Sequence, residues 1–171
     1  MGLFSKTYET IDELFWDQIK DLYDAEHRIV EALPKMAKAA TNPRLKAAFE
    51  QHERETKLQI ERLETVFRTC DKEPERETCQ ATKGLIAEGS EMISANGDPD
   101  VRDAGLIAAA QRVEHYEMAG YGTARNLAKR CGLMSVAALL QTTLDEEGAT
   151  DKKLTDLADS EVNAAAAMHH K

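Results

Sequence analysis

Four stretches of this chain repeat apolar residues at helical spacing, and every one of them sets an acid on or beside its apolar stripe. The first reads Phe15, Ile19, Leu22, Glu26, Ile29, Leu33, Met36. The second reads Leu45, Phe49, His52, Thr56, Ile60, Leu63, with Glu55 three residues after His52. The third carries Ile107, Ala110, Glu114, Glu117, Tyr121 and Ala124, and the fourth Leu140, Leu144, Glu147, Asp151, Leu154 and Ala158. Spacings of three and four over such lengths predict long amphipathic helices. A carboxylate turned toward a core is costly and normally takes a proton or a partner. One could sit at a stripe edge in a surface ion pair, but the same choice on four helices asks for a common cause.

Punctuation divides the chain. Thr10 with Glu13 three residues on is a capping-box pattern, so a first helix is expected from about Thr10 to Ala40, with Pro34 a point where it could kink or break. Asn42-Pro43 marks the start of a second helix, expected to end near Arg68. The charged run TCDKEPERET, residues 69–78, reads as an exposed connection. A short helix over about Cys79 to Ala95 follows, with Glu88 and Glu91 solvated, and Asn96-Gly97-Asp98-Pro99 ends it. A long helix runs from about Pro99 to Arg130 and closes on Gly132. A last one is capped by Ser135 and runs to about Val162. The ends, about 1–8 and 163–171, are expected to fray, and 1–171 is read as a single domain. Two tight hairpins joined by a long connection predict an all-α, ferritin-like four-helix bundle, with one crossover connection carrying an additional short helix.

Composition supports this class. Aromatic residues make up only 5% of the 171 residues, and strand-forming runs are absent. A net charge of −9 argues against nucleic-acid partners, which normally need a basic face. No run approaches the ~18 apolar residues of a membrane span, and the N-terminus lacks the apolar region of a secretory signal. Cys70, Cys79 and Cys131 form no disulfide framework and fit a reducing compartment. Cys70 and Cys79 could pair if the connection folds back, with free thiols the simpler state. The reading is a cytoplasmic protein without membrane contact.

Distance from a turn gives height along a hairpin. Glu26 stands about 15 residues before the first turn and Glu55 a similar distance after it; Glu117 and Glu147 flank the second turn in the same way, at about 1.5 Å of rise per residue. Glu114 and Asp151 match one turn further out. The pairs Glu26-His27 and Glu114-His115 hint at two related hairpins facing each other. Acids gathered at one level need cations to offset their repulsion. Two iron or manganese ions suit mixed carboxylate and imidazole donors, and zinc fits the same set. Di-iron bundles use two Glu and two Glu-x-x-His motifs. Here the second stretch reads His52-x-x-Glu55, the third Glu114-x-x-Glu117, and in the fourth Thr150 stands three residues after Glu147, so the site is rich in oxygen and poor in nitrogen.

The segments YDAEHRI, HERET with QIERL, RDAGLIAAAQRVEHYEMAGYGT and TLDEEGATDKKLTDLA resemble the YciE/YciF family of bacterial stress-associated proteins, over about Thr10 to Ala158. The resemblance implies a ferritin-like fold, a homodimer and a di-metal centre, and leaves the reaction unassigned. The matching positions are Glu26, His52, Glu55, Glu114, Glu117, Glu147 and Asp151. Two functions are expected from it: a di-metal protein that handles iron or reacts with oxygen or peroxide, or a non-catalytic structural homodimer in which metal only ties the helices. Around these residues, His27 and His115 lie about 100° off the acid face and are placed at the surface or behind the ligands. Tyr23, Tyr116 and Tyr121 flank the site, and Gly120 and Gly122 allow another helix, from this chain or a second subunit, to come close. His169 and His170 in the tail are given no role.

Overall fold

The computed structural model describes residues 6–168, and every regular element among them is helical. The order is α1 (Ile11–Ala39), α2 (Pro43–Thr69), α3 (Gln80–Ser94), α4 (Pro99–Arg130), α5 (Met134–Leu157), a π-helical turn (Ala158–Val162) and α6 (Asn163–Ala167). His169 and His170 lie outside the described residues. No described helix is long and apolar enough to cross a membrane.

The starts follow the sequence closely. The Thr10 hydroxyl accepts from the Glu13 N–H while the Glu13 carboxylate accepts from the Thr10 N–H, closing the capping box. Asn42 and Asp98 cap α2 and α4, each with proline at the first helical position. Pro34 neither breaks nor ends α1. It sits on the exposed face, where water can take the carbonyl that its ring deprives of a donor. Ser135 does not cap α5. Leu133 occupies the cap position without a side-chain bond, because the preceding turn is so tight that the helix has already begun at Met134. Past Val162 the chain continues in α6, against α4; the last residues of the tail expected to fray, 169–171, lie outside the described residues.

Two helices end in the same way. After α4, Gly132 takes φ +77, and the N–H groups of Leu133 and Gly132 donate to the carbonyls of Ala128 and Lys129, the paired bonds of a Schellman turn. After α2, Lys72 and Asp71 donate to Phe67 and Arg68 in the same pattern, but the residue in the left-handed region is Asp71, at φ +54. An L side chain is strained there. Asp71→Gly is therefore expected to raise the unfolding free energy by about 0.5 kcal/mol, the relief being partly offset by glycine's freer unfolded chain. Urea titration measures this, and a fall in stability would show that the Asp71 side chain makes a contact worth more than the strain.

α1 packs on α2, α4 on α5, α1 on α4, and α2 on α5, so the four long helices form a ring. Bonds between Thr41 and Asp103 at one level and between Glu26 and Tyr121 at another show that α1 and α4 run in opposite directions. Arg44–Glu161 and Arg62–Glu146 show the same for α2 and α5. Hence α2 and α4 run the same way, and residues 70–98 must travel back between them. Asp24 anchors that return. Its buried carboxylate accepts from Arg28, from Arg76 Nε at 2.9 Å and from the Cys79 N–H at 2.8 Å. Cys79 then caps α3, and all three cysteines are free. α3 lies over α1 and α4 and is thinly held, with only Thr82 and Gly89 buried.

The apolar interior has two parts. One gathers Leu45, Phe49, Leu106, Ile107, Leu154 and Leu157; the other gathers Phe15, Trp16, Ile19, Phe67, Tyr121 and Val136. Between them lies a layer of buried polar side chains. At that level α1 and α4 approach closely: a Cβ on Gly120 would stand 2.8 Å from Leu22 Cδ2. The space expected beside Gly120 is thus used within the chain, while that beside Gly122 is open.

Candidate metal centre

Each of the four long helices sends side chains into the polar layer: Glu26 from α1, His52, Thr56 and Gln59 from α2, Glu114 and Glu117 from α4, Thr143 and Glu147 from α5. All are at most 3% exposed. His52, Glu114, Glu117 and Glu147 each offer a ligand atom within 4.8 Å of the others, an arrangement that could hold a metal ion. His52 Nε2 stands 3.1 Å from Glu114 Oε1 without the alignment of a hydrogen bond. Glu26 receives the Tyr121 hydroxyl on one oxygen. Its other oxygen, both oxygens of Glu117 and Glu147, one of Glu114 and both ring nitrogens of His52 are buried without a hydrogen-bond partner.

The buried acids elsewhere behave differently. Asp24 is satisfied as described, and Asp103 accepts from the backbone of Thr41 and Asn42 and from the Thr41 hydroxyl. This chain therefore pairs the buried carboxylates that only serve packing. Those at the middle level are left with open lone pairs converging on one another, which is the property of a ligand set.

The electrostatics agree. Burial lifts Glu26 to about 7, with the Tyr121 hydroxyl and His52 working the other way and Glu114 adding to the rise. Burial, and then repulsion from Glu26 and Glu114, holds Glu117 well above the carboxylate range; burial, Glu117 and Glu26 do the same for Glu147. Burial disfavours a charged His52, but Glu114, Glu26 and Glu55 outweigh it and raise its proton affinity. Protons collect where negative charge is in excess, and cations can take their place. Carboxylates with one imidazole are donors for a hard or borderline cation, not for a thiolate-seeking one.

Of the expected positions, Glu26 is buried in the layer but lies outside the group of four, and Glu55 and Asp151 lie apart from the layer. Glu55 is half-buried and accepts from the Gln51 side chain at 2.7 Å. It faces a narrow cleft between α2, α4 and α5 that leads to His52 and Glu114. Asp151 points into the α4–α5 seam, where it accepts from Gln111 at 3.0 Å and lies 3.3 Å from His115 Nε2. Four residues past Glu147 is about 40° further round the helix. Height matching placed Asp151 level with Glu114 but could not give its direction. His115 is exposed, as expected. His27 packs edge-on against Tyr23, whose hydroxyl donates to Glu64. Tyr116 donates to Asp21 and touches Cys79 Sγ at 3.0 Å, so of the three tyrosines Tyr121 meets a ligand candidate. Glu88 and Glu91 are exposed.

Gln59 is the residue that periodicity misplaced. The buried series on α2 runs Phe49, His52, Thr56, Gln59, Leu63, and Ile60, expected inward, is half-buried. Gln59 donates to Glu146 at 3.3 Å, and Glu146 holds a two-pronged pair with Arg62 at 2.8 and 2.9 Å. The alternation of three and four residues along the stripe, taken strictly, selects 59 over 60.

Residues 10–167 match the family described as a domain of unknown function, DUF892. The chain belongs to the DUF892 family. Its kinship with YciE/YciF proteins holds as well: this DUF892 chain is 46% identical to Protein YciF of Escherichia coli over 159 residues, covering 92% of this chain and 96% of that one. Among solved structures, the E. coli stress protein YciF superposes with a TM-score of 0.88, covering 91% of this chain and 99% of the other. YcfI of Rhodopseudomonas palustris, named there as a candidate structural protein, is 40% identical with a TM-score of 0.86, covering 90% and 98%. A Xanthomonas campestris protein at 20% identity and a TM-score of 0.74 shares the fold.

Proposed function

We propose that this DUF892 protein is a ferritin-like four-helix bundle that holds two iron or manganese ions in its polar layer, and that it serves a stress response by handling iron or reacting with oxygen or peroxide. The observation that carries the reading is the set of converging ligand atoms on His52, Glu114, Glu117 and Glu147, with the unpartnered second oxygen of Glu26 buried in the same layer. The kinship with an E. coli stress protein supports the setting.

In this reading those five side chains hold the metals, with Glu55 at the edge, and bound iron or manganese supplies one-electron chemistry toward an oxidant. Tyr121 fixes the free orientation of Glu26 through its hydroxyl and can move a proton at that atom. The two apolar halves exclude water from above and below the layer. Asp151 joins α4 to α5 beside the site. We infer a cytoplasmic homodimer as the working unit, which sizing by light scattering tests.

Protein purified after growth with iron or manganese is expected to carry close to two metal ions per chain by elemental analysis. A content well below one after careful reconstitution would falsify the reading. The second reading, in which the metals only tie the helices together, is favoured by the naming of the R. palustris relative as structural. Exposing the iron-loaded protein to oxygen or peroxide separates the two: a metal-centred absorbance change supports the first, and a silent spectrum the second.

A further inference from the structure

Two neutral oxygen atoms in the polar layer are as unsatisfied as the carboxylates around them. Gln59 and Thr56 are fully buried, and neither Gln59 Oε1 nor Thr56 Oγ1 has a hydrogen-bond partner among the described residues. Buried polar groups of a native fold are nearly always paired, so an orphaned one asks for a reason. These two share a face of α2, three residues apart.

The Gln59 amide is not free to turn. Its Nε2 donates to Glu146 at 3.3 Å. Glu146 is held in turn by Arg62 at 2.8 and 2.9 Å, and Arg62 also donates to Thr143 at 2.6 Å. A carboxylate only accepts, so the NH2 group must face Glu146 and Oε1 must face away from it.

Bonds between helices give the level of this oxygen. Tyr23 meets Glu64 and Arg62 meets Glu146. Counted along these antiparallel neighbours, Glu26 and Glu147 both stand opposite position 61, about 3 Å of rise from Gln59. His52 lies about 10 Å of rise away along α2, where it meets Glu114 at 3.1 Å. The layer therefore has two ends. Glu26, outside the group of four ligand candidates, has an open oxygen at the Gln59 end, and Glu147, inside that group, has both oxygens open.

We propose that Gln59 and Thr56 complete a second ion position with Glu26 and Glu147, so that the two ions of the centre are held unequally. One is held by donors that include the His52 imidazole, the other by oxygen alone. Carboxylate, amide and hydroxyl oxygens are the donors of a hard divalent cation such as manganese(II) or magnesium. The inference rests on the metal-centre reading and goes beyond it in making the two positions different in kind.

The test is titration of the metal-free full chain with manganese(II) alone, the free ion being followed by its EPR signal and the bound ion by elemental analysis. The unaltered protein should bind in two distinguishable steps. Gln59→Met, which keeps the volume and removes Oε1, should weaken one step at least 10-fold and leave the other within 2-fold. Thr56→Val, which leaves the Glu146 contacts untouched, should weaken the same step at least 3-fold, with Thr56→Ser restoring it. If Gln59→Met fails to fold, the Thr56 pair decides. Two steps that survive the substitutions, or that weaken alike, overturn the proposal and leave the metal centre standing. Fewer than one ion per chain in the unaltered protein overturns the metal centre, and this position with it.

Discussion

Glu117→Met is expected to make the metal-free protein more stable and to leave it unable to hold metal. Glu117 is fully buried, with neither carboxylate oxygen bonded, so at pH 8 the fold must either ionise it inside the core or keep a proton on it against the solvent. An apolar side chain of similar volume removes that cost. Replacing buried charge in this way stabilises by about 1–4 kcal/mol where geometry is not ideal, and in a domain of this size 2 kcal/mol corresponds to roughly 4–8 °C in Tm. Metal content should fall from near two to below one per chain. Asp24→Met is the contrasting change. It strips the partner from Arg28, Arg76 and the Cys79 N–H, and breaking such a buried cluster is expected to destabilise by about 3–5 kcal/mol. Thermal and urea unfolding of both variants decide the matter: if Glu117→Met costs as much as Asp24→Met, Glu117 is a packing residue and the ligand interpretation of the layer is wrong.

The second large effect is on pH. Metal-free protein is expected to lose stability as pH rises from about 5 to 8, against the usual trend for a protein rich in salt bridges. In the unfolded chain the glutamates release their protons near 4.5, whereas in the fold Glu26 keeps its proton to about 7 and Glu117 and Glu147 keep theirs well above the ordinary range. Over that interval the folded form binds more protons than the unfolded one, so each rise in pH favours unfolding. His52 acts in the same sense. Its raised affinity contributes fully below its unfolded value of 6.5 and is lost as pH passes the folded one. Metal reverses the slope, because ligands must shed their protons to bind it. Calorimetric Tm values at pH 5, 6, 7 and 8, with and without bound metal, should diverge, the metal-free series falling. A metal-free Tm that climbs through this range would mean that the acids are ionised and paired in the fold.

Most of the helix boundaries were legible because they rest on local chemistry: Thr10 with Glu13, Asn42-Pro43, Asp98-Pro99 and Gly132 each act within a few residues. The turn at Asp71 was not, since an aspartate in the left-handed region leaves no compositional trace. Counting from the turns placed the acids at one height, and Glu26, Glu114, Glu117 and Glu147 do lie there. Height carries no azimuth, so Asp151 and Glu55 were drawn into the set although they face a seam and a cleft. The anchoring of residues 70–98 by Asp24 was beyond sequence reading, because its partners Arg76 and Cys79 stand more than fifty residues away in the chain. The short helix itself was readable, but its seat over α1 and α4 follows from packing that periodicity does not describe.

The polar layer has a consequence for how the molecule comes apart. It separates two apolar groups, one around Phe49 and Leu106 and one around Phe15 and Phe67, and every long helix crosses it. With ions in place the layer is a rivet, and the two halves open together or not at all. Without them it is a zone of mutual repulsion between two self-sufficient clusters, so either end can loosen while the other stays closed. Amide exchange would then show two blocks of protection in place of one. Occupancy of the centre would be readable from backbone positions far from any ligand, which makes the cooperativity of the whole chain a gauge of its metal.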